Sequence, residues 1–196
     1  MDNHELIIKA LNDKIGIIKK LADSEETINK CVLAANMMTA AFRKNGKVLF
    51  CGNGGSAADS QHLAAELSGR FYIDRKPLYA EALHVNTSYL TAVANDISYD
   101  EVYARQIDAK GRRFDLLVAL STSGNSENIL RAAKRAEELG MNIISITGNN
   151  GGKLKDLSHI NIIIPSSDTA RIQEMQISLG HLICQIVEQT LFPDGE

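Results

Sequence analysis

Four hydroxyl side chains, Ser121, Thr122, Ser123 and Ser126, sit where the apolar run from Asp115 to Leu120 gives way to a helix-forming stretch. A phosphate group needs such a place. Unsatisfied backbone N–H groups and the positive end of the helix dipole converge there, hydroxyls add donors, and no lysine is required. A second turn of the same design, Cys51-Gly52-Asn53-Gly54-Gly55-Ser56-Ala57, follows the apolar run Lys47-Val48-Leu49-Phe50. Glycines there let a backbone approach a ligand without Cβ clashes. Alone, a Ser-rich turn can be nothing more than a helix cap. Two of them in one small domain point to a phosphorylated small molecule held at the carboxyl ends of parallel strands. Neither turn fits a Walker A pattern or the dinucleotide fingerprint, so a nucleotide is not the natural ligand.

Acid–base candidates lie on the flanking helices. His62 and Glu66 are four apart, on one face of the helix that the glycine turn opens. A His–Glu pair at that spacing is ordinarily a solvated surface pair. Leu63, Ala64 and Leu67 argue that much of this helix is buried, and a buried ionisable pair needs a partner or a task. Gln173 and His181 fall on an apolar last helix, where a histidine is more often a hydrogen-bonded core residue than a ligand. They are eight residues apart, about 12 Å along the axis and roughly 80° in direction. Meeting at one ion requires both side chains to stretch, or one to come from another subunit. Asn95-Asp96 ends a helix, where both types also serve as caps. Arg70 could meet a phosphate or simply face solvent, and Arg171 is expected to pair with Asp168.

The elements that must position these groups alternate. Strands are expected at Val48–Cys51, Leu78–His84, Leu116–Ser121, Asn142–Thr147 and Ile160–Pro165. Helices are expected at Ala57–Gly69, Thr87–Asn95, Tyr99–Lys110, Ser126–Leu139 and Thr169–Leu191. Near-continuous apolar strands suit a sheet covered on both faces. The alternation predicts an α/β, three-layer αβα sandwich around a five-stranded parallel sheet with right-handed crossovers. Two helices precede it. One carries Leu6, Ile7, Ala10, Leu11, Ile15, Ile18 and Leu21 at helical spacing; the other runs from an N-cap at Ser24 to Lys44 and closes at Asn45-Gly46. The chain thus divides into N-terminal helices, residues 1–45, packing on the domain or in an oligomer, and a phosphate-ligand domain, 46–196. Only the turn 148–152 and the tail 193–196 look loose.

An apolar fraction of 44% and a charged fraction of 23% are those of an ordinary globular domain. The net charge of -3 and the lack of basic runs give no reason to expect a nucleic-acid partner. No apolar run approaches a membrane span, and the polar start shows no secretory signal. Cys31, Cys51 and Cys184 are few, odd in number and not metal-spaced, which suits reduced thiols in a cytoplasmic protein.

The stretch from Cys51 to Leu67, with Asn53-Gly54-Gly55-Ser56 and the His62–Glu66 pair, resembles the first signature of the bacterial phosphoheptose isomerases. Ser121-Thr122-Ser123-Gly124-Asn125-Ser126 resembles the phosphosugar loop of the wider sugar-isomerase (SIS) domain family. Ala170-Arg171-Ile172-Gln173-Glu174 with His181 resembles the closing signature. The resemblance covers about residues 30 to 192. It implies isomerisation of D-sedoheptulose 7-phosphate to D-glycero-D-manno-heptose 7-phosphate, for lipopolysaccharide core or other surface heptose. It implies a homotetramer with active sites at subunit interfaces and one zinc ion per subunit, held by His62, Glu66, Gln173 and His181. Substrate positions carried over are Asn53, Gly54, Gly55, Ser56, Glu66, Asn95, Asp96, Ser121, Thr122, Ser123, Ser126 and Gln173.

Moving a proton between C1 and C2 through an enediol needs a base for carbon and an acid for oxygen, and a carboxylate with an imidazole supplies both. Glu66 is assigned as base and His181 as acid, with the serine loop on the phosphate. Zinc introduces a tension, because a carboxylate tied to a metal is a poorer base. Either the metal polarises the carbonyl while Glu66 stays partly free, or it marks a resting or structural state. The competing reading is a non-catalytic phosphosugar sensor or a replication-initiator-associated relative, which Thr190-Leu191-Phe192-Pro193 somewhat resembles. A pentose or hexose phosphate isomerase is a further alternative.

Overall fold

The structure is a computed structural model that describes residues 2–193; of the tail expected to be loose, residues 194–196 lie outside the described residues. Two helices lead, α1 (Asn3–Ala22) and α2 (Glu25–Arg43). There follow β1 (Val48–Gly52), α3 (Gly55–Ser68), β2 (Ala80–Ala82), α4 (Thr87–Asp96), α5 (Val102–Lys110), β3 (Leu116–Ser121), α6 (Glu127–Glu138), β4 (Asn142–Thr147), β5 (Ile160–Ile163) and α7 (Thr169–Leu191). All five strands are parallel, in the order β2-β1-β3-β4-β5. The chain therefore leaves β1 toward one edge and returns to β1's other side at β3. In such sheets a crevice opens between the carboxyl ends of the two strands where the order reverses. Gly52 pairs with Leu120, so the glycine turn and the serine loop leave the sheet at the same level, side by side.

Strand alternation builds two cores. Val48 and Phe50 pack on the face covered by α1, α2, α3 and α7, whereas Leu49 and Cys51 pack on the face covered by α4, α5 and α6. Both faces are apolar, which is why the central strands read as continuous hydrophobic runs. On the first face α3 and α7 run close together. A Cβ placed on Gly180 of α7 would meet Leu63 Cδ2 of α3 at 2.7 Å, so only glycine permits this approach. Leu63 itself is 1% exposed. Its truncation to alanine would cost about 2–5 kcal/mol, as for a leucine in a close-packed core.

Most expected elements form, with shifted ends. Ser24 caps α2 by accepting from Thr27 N at 3.2 Å, and Asn45 closes it with φ of +56°. The strand expected over Leu78–His84 shrinks to Ala80–Ala82 because Leu78 N–H donates to Leu67 O, serving the end of α3 instead of the sheet. The last strand ends at Ile163, and Tyr99–Glu101 is a 3-10 turn leading into α5. The pairing expected between Arg171 and Asp168 does not occur as an ion pair. Asp168 caps α7 by accepting from Ala170 N, while Arg171 pairs with Glu174 at 3.2 Å and donates to Ala10 O of α1. Asp168 is drawn to the exposed N–H groups of the first turn, where an anion belongs. Among the described residues no helix is long and apolar enough to cross a membrane.

Candidate active site

The seam between α3 and α7 brings three ionisable side chains together. His62 Nε2 lies 2.9 Å from Glu66 Oε1, one helical turn on, and 3.2 Å from His181 Nε2. His62, Glu66 and His181 each offer a ligand atom, and these atoms all lie within 4.8 Å of one another. Among the described residues this His, Glu, His set is the one cluster of that kind. Both imidazoles and the carboxylate reach one spot within a single chain, so His181 needs no second subunit to meet the pair. The rings meet edge to face at 4.9 Å between centroids, and Phe71 stacks on the other side of His181 at 5.7 Å. Burial, then the neighbouring His62, hold the His181 imidazole below its usual pKa, while Glu66 acts the other way.

Gln173 joins this seam at its other end. A Cβ on Gly55 would fall 2.6 Å from Gln173 Nε2 and 2.7 Å from its Oε1, so the amide lies directly over the glycine. Gly55 precedes His62 by seven residues, about 10 Å along a helix. Between them on α3 sits Asp59, half-buried, with Oδ2 lacking any partner. Desolvation pushes its carboxyl up to about 6, opposed by the nearby His62.

The two turns are joined to each other. Asn53 and Asn128 exchange side-chain amide bonds, Nδ2 to Oδ1, at 2.9 Å in both directions. Tyr99 Oη adds a donor to Asn53 Oδ1 at 3.2 Å. In the serine loop, Ser121 Oγ accepts from Gly124 N and lies 3.5 Å from Ser126 Oγ. Ser126 stands at the N-cap position of α6 without making a side-chain cap bond. The carbonyl of Thr122 accepts from Gly148 N, and Ser123 is exposed beside an open polar depression shared with Asn125, Asn149 and Asn150. Gly54, with φ of +56°, is exposed at the start of α3. Asn95 and Asp96 are exposed at the end of α4 and bonded to each other at 2.7 Å.

Ser56 is placed differently from its neighbours in the glycine turn. It is 2% exposed, and its hydroxyl donates to Gln176 Oε1 of α7 at 2.8 Å, while Gln176 Nε2 donates to Ile146 O. Arg70 is exposed, and the buried cation nearby is Arg75. Its guanidinium donates to Glu66 O, Leu67 O and Gly69 O at the end of α3 and to Glu188 Oε1 of α7. A cation on those free carbonyls is where the helix dipole favours one. Sequence reading missed Asn128, Tyr99, Phe71 and Arg75, because nothing in their local spacing tells which distant segment they meet. Asp59 could have been found, three residues before His62 on the same helical face.

The SIS domain family matches residues 14–148 of the chain. Curated phosphoheptose isomerases are close in sequence. The one from Rhodospirillum rubrum is 54% identical over 158 residues, covering 81% of this chain and 84% of that protein. The one from Helicobacter pylori strain P12 is 46% identical over 179 residues, covering 91% and 92%. Two solved phosphoheptose isomerases superpose over 96% of this chain and 100% of theirs. That from Neisseria gonorrhoeae is 39% identical with a TM-score of 0.89, and that from Francisella tularensis is 34% identical with a TM-score of 0.91. The chain belongs to the phosphoheptose isomerases, sugar-phosphate isomerase enzymes of the SIS-domain family.

Proposed function

We propose that Glu66 and His181 carry the proton transfers that interconvert D-sedoheptulose 7-phosphate and D-glycero-D-manno-heptose 7-phosphate. The observation behind this is the convergence of His62, Glu66 and His181 at the rim of the α3–α7 seam. Glu66 takes the proton from the carbon next to the carbonyl; Oε1 is engaged by His62, which leaves Oε2 for the substrate. His181 donates to the carbonyl oxygen. Its lowered pKa suits a neutral imidazole N–H as donor near pH 7, the arrangement also used in triosephosphate isomerase. The proton returns to C2 from the Glu66 carboxyl while the C1 hydroxyl gives its proton back to His181, and the aldose results.

The phosphate belongs to the serine loop, where Ser121, Thr122, Ser123 and Ser126 surround the start of α6. Asn53, Gly54, Gly55, Asn95, Asp96 and Gln173 take the sugar hydroxyls. Ser56 contributes by holding the turn, because its hydroxyl is spent on Gln176 and not on the sugar.

Two imidazoles and a carboxylate within 4.8 Å fit one zinc ion, a metal that accepts mixed N and O donors. His62, Glu66 and His181 would hold it, and since Gln173 of the same chain lies over Gly55, a Gln173 amide oxygen would reach it as fourth ligand only from a neighbouring subunit. When bound, zinc would polarise the substrate carbonyl as a Lewis acid in place of the His181 proton, leaving Glu66 Oε2 as the base.

The assembly is a homotetramer. Its support is a groove between α1, α2 and α7, lined by Ile18, Ile28, Val32, Leu179 and Leu182, together with exposed Leu6, Ile7, Leu11 and Ile15 on α1. Apolar area of this extent on a soluble chain marks a contact surface. A cytoplasmic place of action, supplying heptose for surface sugars, fits the three free, buried cysteines.

The decisive experiment incubates the purified protein with sedoheptulose 7-phosphate, with and without a chelator, and follows heptose 7-phosphate formation. Aldose appearing, and falling on chelation, supports the reading; no turnover with metal-loaded protein rejects it. Capture of a replication initiator by a chain that does not turn over would favour the adaptor reading.

A further inference from the structure

Asn128 lies 2% exposed at the second position of α6, just past the serine loop, and its amide faces that of Asn53 in the glycine turn. The two exchange one bond each way at 2.9 Å. Counting donors and acceptors fixes what remains. An asparagine amide has two N–H donors and an oxygen with two lone pairs. On Asn53, Oδ1 is filled by Asn128 Nδ2 and by Tyr99 Oη, while one of the two Nδ2 protons goes to Asn128 Oδ1. A single N–H is left over. In this orientation Asn53, half-buried, offers that side-chain N–H to one ligand oxygen. Turning the Asn53 amide alone by 180° would set N–H against N–H and oxygen against oxygen, so the two amides can turn only together.

The pair bridges the crevice between β1 and β3. It ties the turn that follows β1 to the first turn of the helix that follows β3, the two elements that carry the sugar end and the phosphate end of the site. We propose that Asn128 is a positioning residue for the isomerase reaction. It holds the Asn53 amide with its free N–H aimed at a substrate hydroxyl and sets the spacing between that contact and the phosphate loop. This deepens the function proposed above and rests on it. Asn128 touches no reacting atom; it acts through Asn53.

The test is a double-mutant cycle on the full-length, metal-loaded protein: Asn53→Ala, Asn128→Ala, Asn128→Leu and Asn53→Ala with Asn128→Ala. Asn128→Leu keeps the volume of the side chain and removes both bonds, so a mere cavity effect would be cured by it. Loss of a held hydrogen bond predicts a KM for sedoheptulose 7-phosphate raised by about five- to tenfold in both Asn128 variants. kcat should change less than KM. In the Asn53→Ala background, Asn128→Ala should raise KM no further, because its route of action is already gone. A KM in either single Asn128 variant equal to that of the parent overturns the proposal. So does the same increment with and without Asn53, or a full cure by leucine. A parent protein that does not turn over rejects the functional reading instead. The same cycle is then read as the Kd for sedoheptulose 7-phosphate by calorimetry, where additive losses or unchanged binding again overturn the role of Asn128.

Discussion

Nε2 of His181 stands 3.2 Å from Nε2 of His62, although 119 positions separate them in the chain. At that distance two lone pairs, or two N–H groups, cannot face each other. One proton, or one cation shared by both, has to lie between the rings. The arrangement therefore ties the hydrogen-bond roles of the two rings to each other and, through the 2.9 Å contact of His62, to Glu66.

Glu66→Gln keeps the size of the side chain and a contact to His62 but removes the basic oxygen. kcat should fall by at least about a hundredfold, the range for loss of a general base, with an unchanged circular dichroism spectrum. Turnover close to that of the parent would remove Glu66 from the mechanism.

Gly55→Ala tests the far end of the seam. The added methyl would sit 2.6 Å from Gln173 Nε2, and that flexible amide must move to make room. Zinc content and substrate affinity should both drop by about tenfold or more, as for other changes in the groups around a metal site. The unfolding midpoint should move little, since only the end of a long side chain is displaced. Elemental analysis of the dialysed protein and KM measurements report the two effects.

Arg75 and Glu188 form an ion pair whose side chains are 0% and 2% exposed. Arg75→Met leaves Glu188 buried without its cation and removes a donor from Glu66 O, Leu67 O and Gly69 O at the end of α3, of which Leu67 O keeps Leu78 N–H. The cost should be about 3–5 kcal/mol in urea unfolding. Arg75→Met with Glu188→Leu should recover a large part of it, because the stranded charge is then gone. A double variant as unstable as the single one would show that the carbonyl contacts dominate.

Asp59 offers a pH signature. Its carboxyl is pushed up to about 6 in the folded state from a usual value near 3.8, chiefly by desolvation. The native state then binds more protons than the unfolded chain between those values, so stability falls as pH rises through that window. Asp59→Asn should raise the melting temperature of the metal-free protein above pH 6 and lose that advantage below about pH 4. Calorimetric scans across this range give the answer, and parallel curves for parent and variant would contradict it.

The fold was legible because its signals are local. Continuous apolar strands, alternating with amphipathic helices and punctuated by stops such as Asn45-Gly46, admit little besides a parallel sheet. The serine loop stood out for the same reason, since it is six consecutive residues, and it lies beside the glycine turn as the parallel register requires. The reacting end was visible only in part. His62 and Glu66 share a helical face, but nothing local brings His181 to them; that follows from Gly180 letting α7 settle against Leu63. The helical arithmetic that put Gln173 far from His181 holds, since Gln173 lies over Gly55 while His181 meets His62. That the Ser56 hydroxyl turns to Gln176, 120 positions away, leaves no trace in the turn itself. Arg75 and Asn128 escaped for the same reason, as each acts on a segment it does not adjoin.

The close parallel run of α3 and α7 has a consequence for synthesis. Strand β1, α3 and the serine loop are all translated well before α7, so a growing chain can shape the phosphate pocket early. His181 and Gln173 arrive last, and until α7 docks His62 has no second imidazole beside it. The cluster of His62, Glu66 and His181 is therefore completed only when the last helix is in place.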